Sequence, residues 1–250
     1  MSGHSHWASI KHKKGAADAK RGKLWSKIAR MIIVAAKAGG GDPASNLTLR
    51  YAIDKGKAAN MPKDTIEKAI KKGAGGGEGV TFDSVQYEGY GPSGVAIIVE
   101  ILTDNRNRTG PEIKRIFEKH GSALGTPGCV SWMFSKKGTI IVATSSIGED
   151  ELMELALGAG ADDMQNIGEA YEITCDPTAY ESLKKAIEGK NIPIQSAEIA
   201  MIPQTTVPIS DPDIARKIIR LMEAIEDHDD VQNAYSNFDI PQEMIAEVSS

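Results

Sequence analysis

The segment Gly73-Ala74-Gly75-Gly76-Gly77-Glu78-Gly79 divides this 250-residue chain into two parts that follow different hydrophobic periods. Five glycines in seven positions leave little to order a backbone, so residues 73–80 are expected to form a flexible linker, and no single core runs through them. Before the linker, apolar residues recur at three- and four-residue spacing. After it, runs of strand length take over. The length alone also favours more than one core.

Residues 1–16 lack apolar periodicity and read as a basic arm, and residues 17–72 read as a helical bundle. The spacing predicts a helix over 17–38 that buries Leu24, Ile28, Met31, Ile32 and Ala35 and ends at Gly39-Gly40-Gly41. A second follows from Asn46, a plausible cap, and a third from Pro62, a favoured first-turn residue.

Beyond the linker, Phe82–Gly89 and Val95–Leu102 read as a hairpin about Gly91-Pro92-Ser93-Gly94. Thr109–Glu112 has the capping-box form of a helix start. Val130, Trp132 and Phe134 alternate as a strand that turns at Lys136-Lys137-Gly138 to pair with Thr139–Ala143. Further strands are expected near 161–166, 169–175 and 194–202. Capped helices are expected to start at Ser146–Glu149 and at Asp176-Pro177, a further helix from Pro212, and a last strand over 231–238. Residues 81–128 supply only two strands and a helix, too little to cover a sheet, so 204–240 are expected to complete that domain, with 129–203 inserted as another and 241–250 as a tail. The fold class is therefore α+β multidomain: a three-helix N-terminal domain, then two α/β sandwich-like domains, the middle one discontinuous.

Charge is divided along the same line. Residues 1–72 hold sixteen Lys and Arg against five Asp and Glu, a net +11, while the remainder carries −16. A basic module joined to an acidic body suits a polyanionic partner without wholesale adhesion. On the first helix, Lys20, Lys23, Lys27, Arg30 and Lys37 fall within about a 100° sector. With Arg21, and with Lys11, Lys13 and Lys14 of the arm, they form the candidate phosphate-tracking surface, and Trp7 is a candidate for stacking on bases. Trp25 borders the apolar face and is expected to be buried.

The loop Asp104-Asn105-Arg106-Asn107-Arg108 admits two readings. It is a turn whose polar side chains satisfy their own backbone, or a functional contact made by two arginines isolated in an acidic body. His4, His6 and His12 lie on an arm with nothing to fix a coordination geometry. Asp227-His228-Asp229-Asp230 needs solvent to relieve its charge, so neither group is assigned a metal. No phosphate-loop or dinucleotide motif, catalytic constellation, cofactor site or small-molecule substrate site emerges. Cys129 and Cys175, the only cysteines, read as core thiols in a reducing compartment. No run of apolar residues is long enough for a bilayer and no secretory signal is present, so a cytoplasmic protein is expected.

Several strings occur in order along the whole chain: Gly3-His4-Ser5-His6-Trp7, Lys20-Arg21-Gly22-Lys23, Gly39-Gly40-Gly41-Asp42-Pro43, Tyr87-Glu88-Gly89-Tyr90-Gly91-Pro92, Asp104-Asn105-Arg106-Asn107-Arg108-Thr109, Leu124-Gly125, Phe134-Ser135-Lys136-Lys137-Gly138 and Met201-Ile202-Pro203. Together they closely resemble the YebC/PmpR family, whose mitochondrial relative activates translation of a cytochrome oxidase subunit. The resemblance implies a helical domain and two α/β domains. It also implies either a ribosome-associated translation factor, binding ribosomal RNA and helping elongation through proline-rich stretches, or a DNA-binding transcriptional regulator. The family arm usually has Lys where this chain has His6, which removes one fixed positive charge. A chain that starts at the family arm fits a bacterial cytosolic member.

Overall fold

The computed structural model describes residues 18–75, 81–241 and 244, with side chains from Arg21 onward. The described residues open with three helices: α1 (Asp18–Gly39), α2 (Leu47–Ala58) and α3 (Lys63–Ala74). Asn46 caps α2, its side-chain oxygen accepting from the Leu49 N–H at 3.1 Å. Ile28, Ile32, Leu49 and Ile66 form the core of the bundle. Leu24 lies one turn before Ile28, the first buried position of α1, and stays 42% exposed. Trp25 is half-buried and donates its indole N–H to the Ala59 carbonyl at 3.0 Å.

α3 runs into the glycine segment rather than stopping before it. Gly73 is buried where α3 crosses α1, and a Cβ there would overlap the Ile33 carbonyl oxygen and press on Ala36. This glycine serves close helix packing. Gly76–Gly79 lie outside the described residues.

An antiparallel sheet follows, ordered β3-β1-β2-β9, from β1 (Asp83–Tyr90), β2 (Ala96–Thr103), β3 (Ala123–Leu124) and β9 (Val231–Ser236). β1 and β2 pair from Asp83 opposite Thr103 to Tyr90 opposite Ala96. Helices α4 (Arg106–Lys119) and α7 (Pro212–Glu226) cover one face, placing Ile113, Phe117, Ile218, Leu221 and Ile225 on Ile97, Val99 and Ile101. Ala96 and Ile98 point the other way, into a second cluster with Val130, Phe134, Ala200 and Tyr235. Burial of both faces is why β2 reads as a nearly unbroken apolar run.

The other antiparallel sheet, ordered β5-β6-β4-β7, comprises β4 (Phe134–Ala143), β5 (Ala161–Asn166), β6 (Ala170–Cys175) and β7 (Ile194–Pro203). Its helices α5 (Glu149–Gly158) and α6 (Tyr180–Gly189) place Leu152, Leu183 and Ile187 on Ile140, Val142 and Ile173. A short parallel pair, β8 (Val207–Pro208) with β10 (Phe238–Asp239), links the return of the chain to its end. The fold is thus the α+β arrangement expected, its middle sheet closed by a strand from near the chain's end.

Three local expectations differ. α4 begins at Arg106, and Asn105 rather than Thr109 caps it. Neither Ser146 nor Asp176 caps its helix by a side-chain bond; α5 starts from Gly148 and α6 from Ala179, while Asp176 closes a turn on Thr178. β4 is one continuous strand from Phe134, and Ser131–Met133 is a 3-10 turn that leaves Trp132 68% exposed. The cause of the last is Glu88, 5% exposed, whose carboxylate accepts the Gly128, Val130 and Ser131 N–H groups at 2.8–2.9 Å and so removes them from any ladder. Burial acts to raise the Glu88 pKa, but these three donors and the Gln86 amide hold it below the ordinary carboxylate value.

Candidate nucleic-acid interface

Lys23, Lys27 and Arg30 stand at four- and three-residue spacing, and so share one face of α1. That face meets the turn between α7 and β9. Lys23 Nζ lies 3.2 Å from Asp227 Oδ1 and 3.4 Å from the Asp227 carbonyl. Lys27 Nζ donates to the Glu226 carbonyl at 2.5 Å. Arg30 Nη1 donates to the Asp229 carbonyl at 2.7 Å and to Asp230 Oδ1 at 2.9 Å. The carbonyls of Glu226 and Asp227 end α7, where the helix dipole concentrates negative charge, so the stripe caps that helix as well as pairing with its acids. α2 is held similarly against the inserted sheet and its helices. Lys55 lies 3.5 Å from Glu198, Lys184 lies 3.5 Å from Asp54, and the Tyr51 and Tyr180 rings meet edge to face at 5.5 Å.

Asp230 closes the turn and is 3% exposed. Its Oδ2 accepts from Arg108 Nη2 at 2.6 Å, Thr109 Oγ1 at 2.7 Å and Thr103 Oγ1 at 3.1 Å, while Oδ1 takes Arg30. Burial works to raise its pKa; the threonine hydroxyls and Arg108 outweigh that and hold it below the ordinary value. The same hydrogen bond raises the Arg108 pKa. The Asp230 N–H donates to His228 Nδ1 at 3.1 Å, which assigns the ring proton to Nε2, 3.0 Å from Glu112 Oε2.

The expected loop residues are therefore brought onto this site unequally. Asp104 pairs with Arg108 at 3.0 Å, and the Asn105 side chain accepts the Arg108 N–H. Arg106 turns aside to Asp83 at 2.9 Å, and Asn107 is exposed. Trp7, Lys11, Lys13 and Lys14 lie outside the described residues. Lys20 lies in α1 with its side chain undescribed, and Arg21 is exposed on the same helix.

Lys37 is exposed at the last turn of α1. Lys68, Lys71 and Lys72 are exposed on α3, which packs on that end of α1 through Gly73. Among the described residues these four lysines pair with no acid, and the turn does not engage them. Between α1 and α4 opens a cleft of about 740 Å³ lined by Lys23 and Arg30 on one wall, Arg108, Arg115 and Lys119 on the other, and the acidic turn. Sequence reasoning misses Arg115 and Lys119, and it misreads Asp230: expected to need solvent with its acidic neighbours, it is buried and satisfied by two arginines and two threonine hydroxyls. The two cations could have been found from their seven- and eleven-residue spacing after Arg108, whereas the acidic run that contains Asp230 carries no local sign of partners more than 120 residues away. Among the described residues, no group of three or more His, Cys, Asp and Glu could hold a metal, and no helix is long and apolar enough to cross a membrane.

Two family models together match most of the chain. One, described as the TACO1/YebC protein N-terminal domain, matches residues 5–76, and the other, described as the TACO1/YebC second and third domain, matches residues 82–238. The chain belongs to the TACO1/YebC family. A relative from Syntrophobacter fumaroxidans is 51% identical over 100% of both chains, and one from Dictyoglomus thermophilum is 53% identical over the same share; each bears the name probable transcriptional regulatory protein. The crystal structure of a conserved hypothetical protein from Aquifex aeolicus is 49% identical and superposes with a TM-score of 0.85, covering 94% of this chain and 97% of that one. The TACO1/YebC domain division falls at residues 77–81, just after α3 ends.

Proposed function

We propose that this chain regulates gene expression by binding nucleic acid through its N-terminal helical domain. One observation carries the reading. The net +11 of residues 1–72 is only partly neutralised within the molecule, and Lys37, Lys68, Lys71 and Lys72 stand exposed without an acidic partner among the described residues. Lysines grouped on one module neutralise phosphates and release counterions, a binding mode that needs no base readout. α3 itself carries Asp64, Glu67 and lysines but no Arg, Asn or Gln, which weakens base readout by this helix and favours recognition through the backbone and shape of the nucleic acid.

The finer reading is a cytoplasmic, ribosome-associated translation factor that contacts ribosomal RNA and assists elongation at proline-rich stretches. Backbone recognition and the family resemblance favour it. The names of the relatives favour a second reading, a DNA-binding transcriptional regulator. Neither reading assigns the chain a catalytic residue, cofactor or small-molecule substrate. Sedimenting a lysate through sucrose at low and high salt separates the two. Travel with ribosomes at low salt and release at high salt supports the first reading, and travel with chromosomal DNA supports the second. Recovery with neither overturns the proposal.

A further inference from the structure

The cations that best fit a phosphate-tracking stripe are already occupied. Lys23, Lys27 and Arg30 engage the carboxylates of Asp227 and Asp230 and the carbonyls of Glu226, Asp227 and Asp229. These acceptors are a row of charged and dipolar oxygens contributed by one short segment of chain, the same chemistry that a phosphodiester strand offers. The outer half of the contact is exposed: the Lys23 and Asp227 side chains are 46% and 68% accessible. Ion pairs of that kind are weak individually and yield to competing ions. The inner half, Arg30 on a 5%-exposed Asp230 side chain, sets the geometry on which the outer half closes.

We propose that the Glu226–Asp230 turn is an internal competitor for nucleic acid. Docked as it is here, it occupies the Lys23–Lys27–Arg30 face and leaves Lys37, Lys68, Lys71 and Lys72, among the described lysines of the helical domain, for first contact. A phosphodiester strand that reaches the stripe displaces the turn, and binding is coupled to release of the helical domain from α7. The inference rests on the reading that the helical domain binds phosphates. It adds that the affinity of the full chain is held below what that domain can reach, which limits non-specific adhesion of a +11 module. The coupling is a population shift, so the docked state lowers apparent affinity by the fraction of molecules that are closed.

The test uses the full chain and a fluorescent polyuridine oligonucleotide at low and physiological salt. Asp227→Asn with Asp229→Asn neutralises the exposed acids of the turn and leaves Asp230 intact. Glu149→Gln with Asp150→Asn makes the same charge change on the exposed start of α5, remote from the stripe in sequence. The turn variant is expected to bind about twofold to fivefold more tightly, as the loss of one weak ion pair allows, and the α5 variant much less so. Adding Lys23→Gln and Lys27→Gln to the turn variant is expected to erase the gain. A gain equal to that of the α5 variant, or one that survives loss of the two lysines, overturns the competitor while leaving phosphate binding by the helical domain in place. Failure of the wild-type chain to bind at either salt overturns that reading, and the competitor with it.

Discussion

The Arg108 guanidinium donates to the Asp230 carboxylate at 2.6 Å, joining the first turn of α4 to the start of β9 across 122 residues of sequence. Because the other carboxylate oxygen takes Arg30 from α1, one buried acid orients the N-terminal helical domain and the Asp104–Arg108 segment together. Asp230→Ala leaves two arginines and two hydroxyls without their shared acceptor, and is expected to cost about 3 kcal/mol or more. Urea unfolding measures it as a lower midpoint. Arg106→Gln, which loses only the exposed pair with Asp83, should unfold near the wild-type midpoint.

Glu88 and Asp230 both have pKa values below the ordinary carboxylate value in the folded chain. The sign follows from linkage: their stabilisation is fully present above the unfolded value of ~4, and is lost as pH falls through the lower folded values. Wild-type stability should therefore decline steeply only below about pH 4. Glu88→Gln should be less stable than wild type at pH 7, with the gap narrowing below about pH 4 as the wild-type carboxylate protonates. Thermal unfolding of both proteins across that range checks this, and a gap that stays constant with pH contradicts it.

Two glycines in the helical domain should respond oppositely to alanine. Gly73→Ala forces α1 and α3 apart at the Ile33 carbonyl, and overpacking of this kind costs about 1–3 kcal/mol. Gly22→Ala, on an exposed stretch of α1 with nothing within 4 Å of the new Cβ, should stabilise by roughly 0.5–1 kcal/mol through helix propensity. Melting temperatures of the two variants decide it.

Ile225 is fully buried at the end of α7, against the middle sheet. Ile225→Ala should destabilise by about 2–5 kcal/mol. Removing residues 211–250 takes away both α7 and β9, baring the covered face and the edge of β2. The truncated chain should aggregate, which light scattering reports; a soluble, cooperatively melting product would contradict the role given to α7.

What was legible in the sequence is what neighbours in sequence determine. Asn46 reads as a cap because the N–H it accepts is three residues away, and Ile28 and Ile32 read as core from their spacing. Thr109 is misread as a cap because Asn105, four residues earlier, already accepts the Arg108 N–H and starts the helix, while the Thr109 hydroxyl, now inside the helix, donates to Asp230, 121 residues distant. The alternation of Val130, Trp132 and Phe134 suggests a strand until Glu88, more than 40 positions earlier, withdraws the backbone donors. At the site, the spacing of Lys23, Lys27 and Arg30 is visible in the sequence, but their engagement with residues some 200 positions away is not. Charge patterns disclose a cationic face and leave open which anion already sits on it.

The most direct measurement takes the lysines of the helical domain that have no acidic partner among the described residues. In the full chain, Lys37, Lys68, Lys71 and Lys72 are changed to Gln and the affinity for a polyuridine oligonucleotide is followed against salt concentration. If each lysine neutralises one phosphate of a single strand, the slope of log affinity against log salt should fall by about 3 units, with melting temperature near that of wild type. An unchanged slope in a folded variant would contradict the assignment of the helical domain as the nucleic-acid-binding surface.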